Sequence, residues 1–179
     1  MTSKNFYPIN YTYIFKSHEE YYEDVCPQLT KVFDEYLADD KDEHFHIAID
    51  EMICNAVRYA VPGKQLEITM NIRIWDDSIS CTVQSDTQPW DAAALQKRLR
   101  TLNDNENVRE MDWGEYIGDD AVRGRGVFLI LMTAEYFIVN PILRSATIIC
   151  RRPFKHNFVS KKIKNIVQRF LIENEGVIT

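Results

Sequence analysis

Apolar and polar residues alternate strictly along one stretch of this chain: Leu66, Ile68, Met70, Ile72 and Ile74 are separated by Glu67, Thr69, Asn71 and Arg73. The pattern resumes at Ile79, Cys81 and Val83 after Asp76-Asp77. A period of two is that of a strand with one buried face, and two such runs around a polar turn predict a β-hairpin. Ile9, Tyr11, Tyr13 and Phe15 predict an earlier strand in the same way. One covered and one polar face is the signature of an antiparallel sheet with helices packed on one side, since the strands of a doubly wound parallel sheet read as unbroken apolar runs.

Helical periods fill the intervals. Tyr22, Val25, Leu29, Val32, Phe33 and Tyr36 predict a helix from His18 to Leu37, with Pro27 imposing a kink or a late start. Asp39-Asp40-Lys41-Asp42 forms a solvated turn that supplies caps for the next helix. There Phe45, Ile49, Met52, Ile53, Ala56, Val57 and Ala60 make the apolar stripe, and Pro62-Gly63 stops it. Asp91 to Leu102 predicts another helix, and 103–122, rich in Asn, Asp, Glu and Gly, predicts a long loop of the kind usually tied to function. An apolar helix follows Gly126, then strands at Tyr136–Val139 and Thr147–Cys150 around Asn140-Pro141. From Ser160 onward, Ile163, Ile166, Val167, Phe170 and Leu171 predict a terminal helix.

With 179 residues, 45% of them hydrophobic, the chain can bury one good core. A net charge of −6 argues against a general nucleic-acid binder, which needs surplus Lys and Arg to neutralise phosphates. The charge is uneven. Arg151 to Ile172 holds seven basic and no acidic residues, while 1–150 carries a net −11. The expected organisation is a domain over 1–152 and a basic helical extension over 153–179. Cys26, Cys54, Cys81 and Cys150 are scattered, without a Cys-x-x-Cys pair or a His at ligand spacing nearby, and read as free thiols of a reducing compartment. The start lacks the apolar core of a signal peptide and no run is long enough to span a membrane, so a soluble cytoplasmic protein is expected.

The chemistry concentrates in two places. Glu51 and Asn55 are four residues apart on the second long helix, which sets a carboxylate beside a carboxamide on one face. A proton acceptor next to a neutral oxygen ligand suits Mg²⁺ and phosphate chemistry. Later comes Arg123-Gly124-Arg125-Gly126-Val127-Phe128-Leu129-Ile130, where glycines permit close backbone approach and a helix N-terminus can receive an anion. Arg125, between the glycines, is a candidate phosphate contact. Alone, Glu51 and Asn55 read as a solvated helix face, and Gly-x-Gly as a turn or a close packing contact. Their order along the chain is what carries the functional reading.

Glu51-x-x-x-Asn55-Ala56, then Asp86 at a strand end, then Gly124-x-Gly126 entering an apolar helix, resemble the GHKL nucleotide-binding superfamily of gyrase, sensor histidine kinases and bacterial anti-sigma-factor kinases. The small anti-sigma-factor serine kinases are the most similar group: Glu51 to Ala60 resembles their Glu-Ala-x-x-Asn-Ala-x-x-His-Gly, and Trp90-Asp91 matches their Phe-Asp. The resemblance implies an α+β fold, a two-layer α/β sandwich of the GHKL (Bergerat) type with a mixed, mostly antiparallel sheet and helices on one face. It implies ATP and Mg²⁺ as cofactors, with Asn55 as metal ligand, Glu51 as base toward an attacking serine hydroxyl, Asp86 on the adenine amino group and the Gly124-x-Gly126 helix start over the phosphates, beside which Arg125 is the added candidate contact. Residues 103–122 would be the ATP lid. Partners would be a sigma factor or an anti-sigma-factor antagonist, with a homodimer possible. The chain departs from the family at Gln88, where a glycine is usual, and at Tyr59 and Ala60, in place of His and Gly. Gln88 leaves two outcomes open, a narrowed pocket or a side-chain hydrogen bond to the base. A non-catalytic, partner-binding GHKL module is the alternative to a kinase.

Overall fold

The computed structural model describes residues 8–36, 43–104, 125–151, 167–174 and 176–178. The alternating stretches form strands as the period of two requires: β1 (Ile9–Phe15), β2 (Ile68–Ile74) and β3 (Ser78–Ser85). β2 and β3 are an antiparallel hairpin in which Ile74 faces Ile79 and Ile68 faces Ser85, and β1 adds antiparallel to β2. Further along lie β4 (Tyr136–Asn140), β5 (Ser145–Arg151), β6 (Phe170–Asn174) and β7 (Val177–Ile178). The strand order is β1-β2-β3-β5-β4-β6-β7, antiparallel throughout except for the parallel β4–β6 pair.

Ile68, Met70, Ile72, Ile74, Ile79, Cys81, Val83, Phe137, Val139, Ile148 and Phe170 from the sheet are buried. On the opposite face Thr12 donates to Asn71 at 2.8 Å, and the Thr82 and Thr147 hydroxyls lie 2.9 Å apart. The covered face meets the helices. Phe45, Ala48, Ile49, Met52, Ile53 and Ala56 of α3 (Glu43–Arg58) are all buried, as most of the predicted stripe requires, while Val57 is half-buried and Ala60 falls past the end of the helix, in a bridge to Thr87. Each large aliphatic among them contributes about 1.5–3 kcal/mol by leaving water. α3 packs on β3, and α5 (Arg125–Thr133) packs against α3 and β4. α4 (Ala92–Asp104) packs against β6. The expected α+β, two-layer arrangement is present.

Pro27 acts upstream of its own position. The first helix opens as α1 (His18–Glu20), widens to a π-turn over Tyr21–Val25 and continues as α2 (Cys26–Tyr36). Cys26 N–H bonds the carbonyl of Tyr21, five residues back. This wider turn makes room for a proline ring that would otherwise clash with the carbonyl four residues before it. Ser17 caps the start, accepting from Glu20 N–H at 3.0 Å, while the Glu20 carboxylate reaches back to Lys16 N–H at 2.7 Å.

The terminal helix is a correction. Val167–Arg169 is one 3₁₀ turn, and Phe170 and Leu171, expected on a helix face, begin β6. Phe170, Leu171 and Ile172 pair in parallel with Phe137, Ile138 and Val139. A short apolar run fits either period, and an open edge at β4 offers backbone partners that a helix would not use. The expected helical residues before Val167 lie outside the described residues, as do Asp39–Asp42 and most of the expected lid.

Candidate functional site

α3 carries Glu51 and Asn55 on the face turned to α5. A Cβ added at Gly126 would fall 2.5 Å from Glu51 Oε2, 3.4 Å from Glu51 Cδ and 3.5 Å from Asn55 Nδ2. The absence of a side chain at Gly126 is therefore what lets the first turn of α5 close onto the pair. Two motifs about seventy residues apart meet here, at the N-terminus of a nine-residue helix. Arg125 opens that helix, while Gly124 lies outside the described residues.

The pair lines a cavity of about 540 Å³, within the range of small-molecule and cofactor sites. Its floor includes Met52, Ala56 and Val127, and its rim includes Arg58, Tyr59, Gln88 and Trp90. Trp90 is 43% exposed and sets its edge against Phe170, with ring centroids 6.2 Å apart. Phe170 in turn meets Phe137, another lining residue, at 5.7 Å. β6 thus buttresses the cavity wall, a role that the sequence did not signal.

The chain is turned toward the cavity after α3 by a reverse turn. Val61-Pro62-Gly63-Lys64 closes with Lys64 N–H on the Val61 carbonyl at 3.2 Å, and Gly63 takes φ +77°. Proline second and a left-handed glycine third are the signature of a type II turn. Its end delivers Lys64, whose ammonium pairs with Asp86 at 2.5 Å. Arg144 pairs with the other oxygen of the same carboxylate. Asp86 is thereby held between two cations, and its neighbours Ser85 and Thr87, rather than Asp86, line the cavity. Arg144 reaches it from the β4–β5 turn with φ 51°, a left-handed conformation that costs a non-glycine residue about 1–2 kcal/mol. The ion pairs and the bond from Ser85 N–H to the Arg144 carbonyl at 3.3 Å oppose that cost.

Gln88, at the position where the resemblance expects glycine, is anchored. Its N–H donates to the Tyr59 carbonyl at 2.7 Å, and its side-chain amide donates to the Ala60 carbonyl at 3.3 Å. Ala60 also bridges Thr87. These bonds tie the end of α3 to the strand end. Asp91 then caps α4, accepting from Ala94 N–H at 2.8 Å.

The donor set fits Mg²⁺. Glu51 and Asn55, one helical turn apart and both lining the cavity, offer a carboxylate and a carboxamide whose oxygens are the hard donors that Mg²⁺ takes, and the α5 N-terminus beside them can receive phosphate. This geometry makes a specific forecast for Gly126→Ala. The clashing atom is the far end of a flexible side chain, so Glu51 would swing aside at little structural cost, and in the first turn of α5 alanine gains at most a part of its helix-interior advantage over glycine. The melting temperature should be unchanged or slightly higher, while turnover with ATP falls at least about tenfold. Melting by circular dichroism and a phosphate-release assay would show the split, and a parallel loss of stability would refute it.

Residues 15–141, more than two thirds of the chain, match the model of the histidine kinase-like ATPase domain. No curated protein and no solved structure matches. The matched span begins at the end of β1 and closes just after β4, so it takes in Glu51, Asn55, Asp86 and Gly126 together. The chain belongs to the histidine kinase-like ATPase domain family.

Proposed function

We propose that this chain is an ATP-binding regulatory protein of the anti-sigma-factor type, a serine/threonine protein kinase that sequesters and phosphorylates protein partners in transcriptional or partner-switching control. The observation that supports it best is the closure of Gly126 onto Glu51 and Asn55 at the mouth of a nucleotide-sized cavity. Asn55 would hold Mg²⁺, which when bound neutralises phosphate charge. The α5 N-terminus would receive the phosphates, with Gly124 and Arg125 as further contacts. Glu51 would take the proton of an attacking hydroxyl. As that oxygen bonds to the γ-phosphorus, the bond to the β–γ bridging oxygen breaks and ADP leaves. Positioning and charge neutralisation are most of what such a transfer requires. The partner would be a sigma factor or an anti-sigma-factor antagonist, met in the cytoplasm and without direct nucleic-acid contact. A homodimer is compatible with this role. Among the described residues no helix is long and apolar enough to cross a membrane.

One observation favours a second reading, a partner-binding module whose nucleotide pocket no longer turns over. The Asp86 carboxylate is engaged by Lys64 and Arg144 and does not line the cavity, so adenine recognition would fall to Ser85, Thr87 and Gln88. Titration of the wild type and of Gln88→Gly with Mg-ATP separates the two. Binding to the folded state alone raises apparent stability, by about 2.7 kcal/mol at a hundred times Kd. The wild type should shift upward in melting temperature with Mg-ATP. Because the Gln88 amide is anchored on the rim by Ala60, its removal should change affinity by less than about threefold, against the tenfold or more, about 1.4 kcal/mol, expected of a blocked pocket. No shift in either protein at millimolar ATP would leave the partner-binding module as the better account.

A further inference from the structure

On the neighbouring face of α3, three side chains of different chemistry converge. Asp50 and Cys54, again four residues apart, meet His18 of α1, and one atom from each lies within 4.8 Å of the other two. His18 Nε2 is 3.3 Å from Cys54 Sγ and 3.8 Å from Asp50 Oδ1. Tyr22 sets this geometry from the π-turn. Its hydroxyl donates to the same Asp50 oxygen, and the His18 ring stands perpendicular to the Tyr22 ring with centroids 4.6 Å apart.

We propose that His18, Asp50 and Cys54 form a Zn²⁺ site that clamps the first helical segment to α3. In a tetrahedral site with Zn–S near 2.3 Å and Zn–N and Zn–O near 2.05 Å, the ligand-to-ligand edges are about 3.4–3.6 Å. The two His18 separations bracket that range, and the Asp50 and Cys54 ligand atoms lie within 4.8 Å of each other, so side-chain rotation alone, without backbone movement, can draw the three onto one ion. One imidazole nitrogen, one sulfur and one carboxylate oxygen select a borderline metal over Mg²⁺ or Ca²⁺, which take oxygen sets. The shared use of Nε2 also argues against a Cys-His-Asp relay, in which thiol and carboxylate occupy opposite ring nitrogens. Binding releases the thiol proton to solvent and leaves the fourth position for water. His18 and Asp50 are 40% and 36% exposed, which gives the ion a route from solvent. The Tyr22 hydroxyl on Asp50 is the kind of outer hydrogen bond that orients a ligating carboxylate.

The clamp has a structural consequence. α1 is three residues long and joined to α2 through the π-turn, so without an ion the hold of this segment on α3 rests on side-chain packing and on the part-exposed contacts of His18 and Tyr22 with Asp50 and Cys54. Asp50 and Cys54 each immediately precede Glu51 and Asn55, so an ion there stiffens the helical turn that carries the candidate active pair. The proposal stands on His18, Asp50 and Cys54 alone and does not depend on nucleotide binding.

The test uses full-length protein stripped with chelator and titrated with Zn²⁺ and, separately, Co²⁺. One Zn²⁺ per chain is expected, together with a thiolate-to-cobalt band in the near ultraviolet and visible bands of tetrahedral intensity. His18→Gln and Cys54→Ala, checked for folding by far-ultraviolet circular dichroism, should each weaken Zn²⁺ binding at least tenfold, and Cys54→Ala should lose the thiolate band. Cys26→Ala should change neither. A second measurement needs no variant: Zn²⁺ should protect Cys54 of the wild type from alkylation, read by peptide mapping, and leave Cys26 unprotected. Absence of the thiolate band in the wild type, its survival in Cys54→Ala, undiminished affinity in folded His18→Gln, or alkylation of Cys54 unaffected by Zn²⁺ would each overturn the site.

Discussion

Asn55→Ala should lower Mg-ATP affinity about a hundredfold, roughly 2.7 kcal/mol, while leaving the metal-free affinity for the nucleotide nearly unchanged. The expectation follows from what surrounds the residue. Asn55 lies on α3 opposite the Gly126 cradle, where its carboxamide is close to the α5 N-terminus and lines the cavity. Glu51 is the adjacent oxygen donor but carries a charge that repels phosphate, so a bound metal is what reconciles the two. With alanine at 55 the cavity remains, yet the phosphates meet Glu51 with poorer neutralisation. Asn55 is only partly buried, so its truncation costs little stability. Isothermal titration of both proteins with and without Mg²⁺ measures the effect, and coincident isotherms would remove Asn55 from metal binding.

The second large effect belongs to Glu51. Glu51→Gln should reduce phosphoryl transfer by about a hundredfold to ten-thousandfold, the usual span for loss of a general base, with Mg-ATP affinity retained within a few-fold. The amide has the shape of the acid, and the gap at Gly126 accommodates either, so the fold around the pair should not move. What changes is the capacity to accept a proton. Radiolabelled ATP offered with a candidate antagonist protein reads the transfer, and titration calorimetry reads the binding. Equal labelling by the two proteins would take Glu51 out of the mechanism, whereas loss of binding in the variant would make it a structural residue of the pocket. Gly126→Ala supplies the complementary case, since it keeps the carboxylate but displaces it.

Much of the architecture was legible because it rests on local periods. The β2–β3 hairpin, the α3 stripe and the helix after Gly126 each bury a face that repeats with its own period, and local pattern and tertiary burial agree there. The candidate pair was legible for the same reason, since four residues on a helix fix neighbours without help from the rest of the chain. Phe170 and Leu171 show the limit. A short apolar run near the end of the chain satisfies a helix face and a strand, and only the open edge of β4 decides between them. Asp86 shows another limit. Its position after β3 was readable, but its two cationic partners come from a turn after α3 and from the β4–β5 turn.

The sequence by itself determined the alternating strands, the amphipathic α3, and the presence of Glu51, Asn55 and the glycine motif in family order, because each depends on spacing within a few residues. The tertiary structure alone decided which of these meet. It closed Gly126 onto Glu51, tied Asp86 to Lys64 and Arg144, and set Phe170 behind Trp90. It also brought His18 to Cys54, a cysteine whose sequence neighbourhood shows no histidine at ligand spacing. The physical reason is that side-chain contacts across dozens of residues are fixed by sheet order and helix packing, and those follow from burying the whole apolar surface at once rather than from any one segment.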